Sequence, residues 1–227
     1  MKNTSIRWIA AALLLATGLG TLTAATINWD GGPSGTGTNW NEAVNWSGDV
    51  KPGANDTADF RYASGTPDKT YILGAHQTIG TIAFPTYGNQ PNVTIGTAAD
   101  AAAGNALTIM EGVFRGDNVG NWQTLRADIV LGTNTTWEVR PGYNSGVTVS
   151  GGISGTGFGL TKWASGTLRL QGTNTYTGNT VVRTGTLQLD FNNGAAPLAN
   201  IVDPDSPLRM EGGYLHLLRK AAASRSQ

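Results

Sequence analysis

The residue types that could catalyse a reaction are concentrated in the middle of the chain. The densest group of charged side chains lies between positions 111 and 140: Glu111, Arg115, Asp117, Arg126, Asp128, Glu138 and Arg140. Acidic residues gathered on one outer face, with a basic partner, can hold calcium or supply the acid and base groups that cleave polysaccharides. In that interpretation Asp117 and Asp128 form a carboxylate pair beside Arg140. We favour the alternative, in which loops and outward strand positions simply carry these charges.

Other catalytic and metal-binding patterns are weak. The two histidines, His76 and His216, lie far apart in a chain without cysteine, so the sequence predicts structural histidines and no metal site or cofactor. The serines do not occur in a nucleophile-elbow motif. Asp56 and Asp59 could bind calcium, but their spacing fits no EF-hand loop, and a turn closed by side-chain to backbone hydrogen bonds is the favoured prediction.

Three tryptophans near the amino end offer a different chemistry. Trp29, Trp40 and Trp46 lie among glycine, asparagine and aspartate residues. Exposed indole rings could stack on sugar rings and form a carbohydrate platform. The same residues could instead cover the open end of a repeat structure, where unpaired backbone and apolar side chains need shielding. The second interpretation is preferred.

The elements that must position these residues are short strands. Segments rich in β-branched residues and separated by glycine and asparagine predict strands at 71–73, 78–84, 93–95, 106–110, 127–131, 135–139 and 147–149. No window shows sustained helical periodicity, and the alanine-rich run at 98–103 is predicted to be a loop.

Two near-copies of one strand follow, at residues 166–170 and 185–189. In each copy the leucines alternate with polar residues, as in Leu168 and Leu170 and then Leu187 and Leu189, so one face is apolar. The recurrence of Leu168, Leu187 and Leu208 favours stacked coils, with each leucine above its equivalent, over a β-sandwich. A single coil buries too little apolar surface to fold alone, and stacking removes that limit.

Residues 159–190 resemble the autotransporter-associated beta strand repeat of bacterial surface proteins. The resemblance depends on Leu160-Thr161-Lys162, Gly166-Thr167-Leu168, Asn174-Thr175-Tyr176-Thr177-Gly178 and Gly185-Thr186-Leu187. Trp163-Ala164 departs from the family, which usually has a small residue and glycine there. The resemblance implies an all-β fold, a right-handed parallel β-helix (solenoid) with a Trp-rich amino-terminal cap. The predicted repeat core is Leu160, Leu168, Leu170, Tyr176, Leu187 and Leu189.

The first 25 residues have the features of an export signal. Lys2 and Arg7 precede the apolar run 8–16, which is shorter than the roughly 20 residues that span a bilayer, and Thr23-Ala24-Ala25 offers a cleavage site. We therefore expect a cleaved signal and no membrane span in the mature chain. Without Lys2 and Arg7 the charge balance is 13 − 15 = −2, which argues against nucleic acid as a partner.

The sequence thus predicts four regions: a signal peptide (1–25), a cap segment (26–62), a β-solenoid (63–217) and a disordered or truncated tail (218–227). The expected protein is an exported, monomeric structural or adhesive scaffold of autotransporter-passenger type, a partial copy of a longer surface protein. Its expected partners are a surface polysaccharide or a host or matrix surface, and no catalysis is expected. The alternative function is a carbohydrate-active β-helix, either lyase-like or sugar-binding.

Overall fold

Within the part of the chain that the structure describes, every pairing between strands is parallel. The computed structural model describes residues 23–62, 66–85, 91–117, 121–142 and 145–220. Most of the predicted signal and residues 221–227 of the predicted tail lie outside the described residues. The strands are β1 (Thr26–Asn28), β2 (Thr57–Asp59), β3 (Lys69–Tyr71), β4 (Gln77–Phe84), β5 (Val93–Ile95), β6 (Ala106–Arg115), β7 (Gln123–Leu125), β8 (Asp128–Leu131), β9 (Thr135–Val139), β10 (Gly146–Val149), β11 (Ile153–Ser154), β12 (Leu160–Trp163), β13 (Thr167–Leu170), β14 (Thr180–Val182), β15 (Thr186–Asp190), β16 (Leu208–Met210) and β17 (Tyr214–Leu218).

The strands form two parallel sheets that the chain visits in turn. The first sheet runs β1-β2-β4-β6-β9-β12-β14-β16, with β8 and β11 as a branch, and the second runs β17-β15-β13-β10-β7-β5-β3. The first half of β6 pairs with β8 and its second half with β9, so the first sheet divides into two sides along β6. Consecutive coils such as β8-β9-β10 and β11-β12-β13 therefore have three sides. This topology is a parallel β-helix, as predicted, and excludes the sandwich of antiparallel sheets.

The core is a set of in-register ladders between coils. On the second sheet Leu168 pairs with Leu187, and Leu170 pairs with Leu189. The next leucines in these ladders are Leu215 and Leu217 of β17. Leu208 instead pairs with Thr180 on the first sheet, so its predicted place in the leucine ladder is wrong. The reason is an insertion: the connection after β15 is long, and the next strand to reach the second sheet is β17.

The alanine-rich run at 98–103 is a helix, α1 (Ala98–Ala102), and the predicted loop is wrong. Thr97 and Asp100 form a reciprocal capping box, which satisfies amide groups that a short helix otherwise leaves unpaired. Asp100 also accepts hydrogen bonds from the amides of Leu73 and Gly74, at 3.1 Å each. Desolvation raises the pKa of Asp100, but these hydrogen bonds and those from Thr97 and Asn105 outweigh it, and the pKa lies below its usual value. One carboxylate therefore fixes α1 to the preceding coil.

The segment 26–62 closes the amino end of the β-helix. It contains β1, β2 and two short 3-10 helices, Ala43–Asn45 and Ser47–Asp49. β1 and β2 continue the first sheet directly into β4, so this segment shares the sheet and the core of the coils that follow it. Trp29 and Trp46 form an isolated antiparallel bridge across it.

Candidate functional site

The predicted repeat core is buried in the structure. Leu160, Leu168, Leu170, Tyr176 and Leu187 are fully buried, and Leu189 is 8% exposed. The Tyr176 hydroxyl shares a 2.6 Å hydrogen bond with Thr180, which in turn contacts the Ser206 hydroxyl at 3.0 Å. Burial raises the pKa of the Tyr176 phenol, so it remains a neutral hydrogen-bonding group. The repeat therefore joins its own coil to the next one through buried polar contacts as well as leucines.

Asn174 of the repeat connects three coils. Its side-chain oxygen accepts a hydrogen bond from the Ile153 amide at 2.9 Å, in the coil before it. Its side-chain nitrogen donates to the Ile201 carbonyl in the coil after it. The side-chain oxygen and nitrogen of Asn174 are thus both hydrogen-bonded, and the residue is buried. Asn174 therefore has a structural role: it links neighbouring coils at a position where no β-strand pairing does so.

Lys162 is a buried cation that the sequence analysis missed. It is fully buried in β12, in register between Trp137 and Val182. Its ammonium group donates to the carbonyls of Trp163 at 2.9 Å, Ala164 at 2.5 Å and Thr184 at 3.2 Å. Burial lowers the pKa of Lys162 to about 8. Strand alternation could have revealed it, because Lys162 has the same parity as the inward-facing Leu160.

The three tryptophans of the predicted carbohydrate platform lie in the interior. Trp40 and Trp46 have no exposed surface, and Trp29 is 6% exposed. Trp46 packs edge-on against Trp29 at 4.8 Å and against Trp40 at 4.9 Å between ring centroids. Phe60 and Tyr71 complete this aromatic cluster. The platform interpretation is therefore corrected: the rings pack against one another, and no indole face is open to a sugar.

The central charged residues do not converge on one groove. Arg140 donates to Glu138 at 2.6 Å and contacts Asp117 at 3.4 Å, and all three are partly exposed. Asp128 pairs with Ala106 at the start of β6. Asp117 follows the end of the same strand, and the two halves of β6 pair with β8 and β9 on different sides of the β-helix, so the two carboxylates lie at opposite ends of a strand that spans two sides. The expected Asp117–Asp128 carboxylate pair is therefore wrong.

The remaining candidates from this stretch are also separated. Arg115 is fully buried and donates to the Arg140 carbonyl at 2.7 Å and to the Ser145 hydroxyl at 2.6 Å. Desolvation lowers the pKa of Arg115 to about 10, although Asp117 opposes the shift. Glu111 accepts a hydrogen bond from Thr81 at 3.0 Å.

The predicted structural roles of the histidines and Asp56 agree with their contacts. His76 contacts the Thr108 hydroxyl at 2.9 Å, and His216 contacts the Gln188 amide at 2.9 Å. Asp56 closes its turn by accepting from the Gly53 amide at 2.8 Å, as predicted, and it also accepts from the Ala25 amide at 2.9 Å. Among the described residues, no group of three or more histidine, cysteine or acidic side chains could hold a metal ion.

A large concave surface also lies among the described residues, and we call it the corner groove. It has a volume of about 900 Å³ and runs along the corner where the second sheet turns back to the first. Its lining includes Thr94, Thr124, Arg126, Asp128, Ser150 and Thr173. Arg126 and Asp128 are the two members of the central charged group that line this groove.

Comparison with protein families identifies the repeat. The model of the passenger-associated transport repeat matches residues 160–189. The chain therefore carries a repeat of autotransporter-passenger type, folded as coils of a parallel β-helix. Comparison with curated proteins and with solved structures finds no match. Within the described ranges, no helix is both long enough and apolar enough to cross a membrane.

Proposed function

We propose that this protein is exported and acts as a non-catalytic scaffold, used for adhesion or display at the cell surface. The observation that carries the proposal is the passenger-type repeat at 160–189, built into continuous parallel coils. Two features support it. β1 begins at Thr26, directly after the predicted cleavage position, and the charged residues that could have formed a catalytic pair occupy separate surfaces.

Export is tested by expressing the full chain, with a carboxyl-terminal epitope, in a Gram-negative host. The expected product begins near Thr26 by amino-terminal sequencing and is degraded by protease added outside the cells. The matched control is Leu14→Arg, which places a charge in the predicted apolar run and should keep the chain inside. An uncleaved, cytoplasmic wild-type chain would contradict the proposal.

The scaffold role is tested with the same two strains. Cells that export the chain should attach to polysaccharide-coated or matrix-coated surfaces more strongly than cells that make Leu14→Arg. The purified chain should release no fragments from those polysaccharides. Equal attachment by both strains would contradict the adhesive role, and released fragments would contradict the absence of catalysis.

A further inference from the structure

The corner groove is concave because side chains cannot fit along its base. A Cβ atom on Gly151 would lie 2.2 Å from the Ala127 carbonyl oxygen, and one on Gly172 would lie 2.1 Å from the Gly151 carbonyl oxygen. Successive coils thus approach backbone to backbone at this corner. The base of the groove is peptide groups and small residues, and the larger side chains stand along its sides.

Two irregular segments deepen the groove. The helix α1, fixed by Asp100 to the previous coil, brings Ala98 and Ala101 to one side. The loop after β15 brings Asn193 and Ala195 to another, and the Asn193 amide donates to Gln171 at 2.9 Å. These contacts hold both segments in position in the absence of a ligand.

The groove follows the axis of the β-helix. Its lining takes residues from four consecutive coils: Thr94 on β5, Thr124 on β7, Ser150 after β10 and Thr173 after β13. Neighbouring parallel strands are about 4.8 Å apart, so four coils span about 14 Å. A cleft of that length, open along the axis, suits a polymer lying across successive coils.

The lining presents unused hydrogen-bonding groups. Within the described part of the chain, the hydroxyl groups of five lining residues form no hydrogen bond to another protein group: Thr94, Thr124, Ser150, Thr173 and Thr175. The Arg126 side chain is exposed and forms no ion pair or hydrogen bond there. Asp128 uses one carboxylate oxygen to accept the Gly152 amide at 2.9 Å. The other carboxylate oxygen can accept a hydrogen bond from a sugar hydroxyl group.

We propose that the corner groove binds an acidic polysaccharide along the axis of the β-helix, with Arg126 holding a sugar carboxylate. A guanidinium group matches a carboxylate with two parallel hydrogen bonds. The threonine and serine hydroxyls and Asp128 hydrogen-bond the sugar hydroxyls, and the methyl groups of Ala98 and Ala101 contact the C–H faces of the rings. This inference goes beyond the scaffold role, because it names a ligand class and a site.

A peptide fits the groove less well than a glycan. The groove presents hydroxyl groups at the level of each coil, and its corner lacks an open strand edge on which an extended peptide could pair. Its apolar contacts are alanine methyl groups, too small to form the pockets that anchor peptide side chains. A glycan can bind the hydroxyl groups through its own hydroxyls, and its rings can contact the alanine methyl groups without a deep pocket.

The test is calorimetric titration of the purified full chain with a galacturonate hexamer, beside the same hexamer with methyl-esterified carboxylates. We expect saturable binding of the acid form, at least tenfold weaker binding of the ester, and weakening of the acid form by salt. Equal binding of acid and ester, or no binding of either, would overturn the proposal.

Four variants locate the site. Arg126→Gln should lose at least tenfold in affinity, and Ala101→Glu should also weaken binding, whereas Ala101→Lys should strengthen it several-fold. Positions 101 and 126 are exposed, so these changes leave the core intact. Arg209→Gln removes a 60% exposed arginine outside the groove and should change nothing. Unchanged affinity in Arg126→Gln, or no sign reversal between the two Ala101 variants, would exclude the corner groove.

The outcomes are separable from those of the scaffold test. A failure of export or attachment leaves the titration result standing, because the titration uses purified protein. Cleavage of the hexamer with formation of an unsaturated product would support the groove as a binding site and contradict the non-catalytic role.

Discussion

At the scale of single residues, the repeat contains buried polar side chains in addition to its stacked leucines. Lys162 and Asn174 are buried inside the repeat, and each bonds to backbone groups of a neighbouring coil. Three carbonyl oxygens solvate the Lys162 ammonium group, and no carboxylate bonds to it within the described ranges. Burial without a counter-charge disfavours the protonated form of the lysine, and this desolvation is the physical cause of its lowered pKa.

The lowered pKa of Lys162 predicts a pH dependence of stability. Between pH 8 and about 10.5 the unfolded chain binds this proton more tightly than the folded chain, so the free energy of unfolding rises with pH through that window. The full shift corresponds to about 3 kcal/mol. Urea unfolding between pH 7 and 10 should show the rise in wild type and in Lys51→Met, and lose most of it in Lys162→Met. An unchanged slope in Lys162→Met would contradict the assignment.

Ala164 predicts a stabilising substitution. Its φ of 66° is left-handed, a conformation that glycine adopts without the steric penalty of a Cβ atom. This is the position where the sequence departs from the family by lacking glycine. Ala164→Gly should therefore raise the free energy of unfolding by about 0.5–1 kcal/mol after the entropic cost of glycine. Urea titration measures this, and a loss of stability would show that the corner tolerates alanine without strain.

At the scale of elements, the sequence predicted strands well where burial alternates strictly. The strands at 93–95 and 135–139 lie where the alternation placed them. Elements that depend on a specific side-chain contact were harder to predict. α1 was missed because its evidence is one capping box in an otherwise uninformative alanine run. Leu208 was misplaced because loop length, which periodicity does not measure, decides which sheet a strand joins.

The corner groove could not be predicted for the same physical reason. Its base is created by close backbone approach at Gly151 and Gly172, and its side by the docking of α1 through Asp100. Both features depend on contacts between neighbouring coils, formed by residues that are more than 20 positions apart in the sequence. Arg126 and Asp128 were named among the central charged residues, but Asp128 was paired with Asp117. The separation of these two aspartates follows from the length of β6.

Burial of Trp46 in the cap segment (26–62) predicts a large loss of stability on its removal, and the exposed Trp163 serves as the control. Trp46 is fully buried, donates its indole N–H to the Trp40 carbonyl at 2.9 Å and packs on two tryptophan rings. Trp46→Ala should reduce the free energy of unfolding by about 3–5 kcal/mol. Trp163 is 43% exposed, so Trp163→Ala should cost less than about 1 kcal/mol. Equal effects in chemical denaturation would contradict the closing role of the cap.

At the scale of the whole molecule, the two ends of the described β-helix differ in how their apolar residues are covered. The first sheet passes through eight strands from β1 to β16, which is about 34 Å along the axis at 4.8 Å per spacing. The amino end is covered by the aromatic cluster. At the far end Met210 and Leu217 are 43% and 56% exposed, although the equivalent residues one coil earlier, Val182 and Leu189, are buried.

This asymmetry predicts a gradient of local stability. In a stack of coils each unit is stabilised by its neighbours, so a coil with one neighbour opens more easily than one with two. Amide hydrogen exchange should be at least tenfold faster in β17 than in β13, a difference of about 1.4 kcal/mol in opening free energy. Equal protection of β17 and β13, at both low and high protein concentration, would contradict the gradient. Protection of β17 that increases with concentration would show that a second molecule covers the open coil, because exposed leucines beside unpaired strand edges favour association.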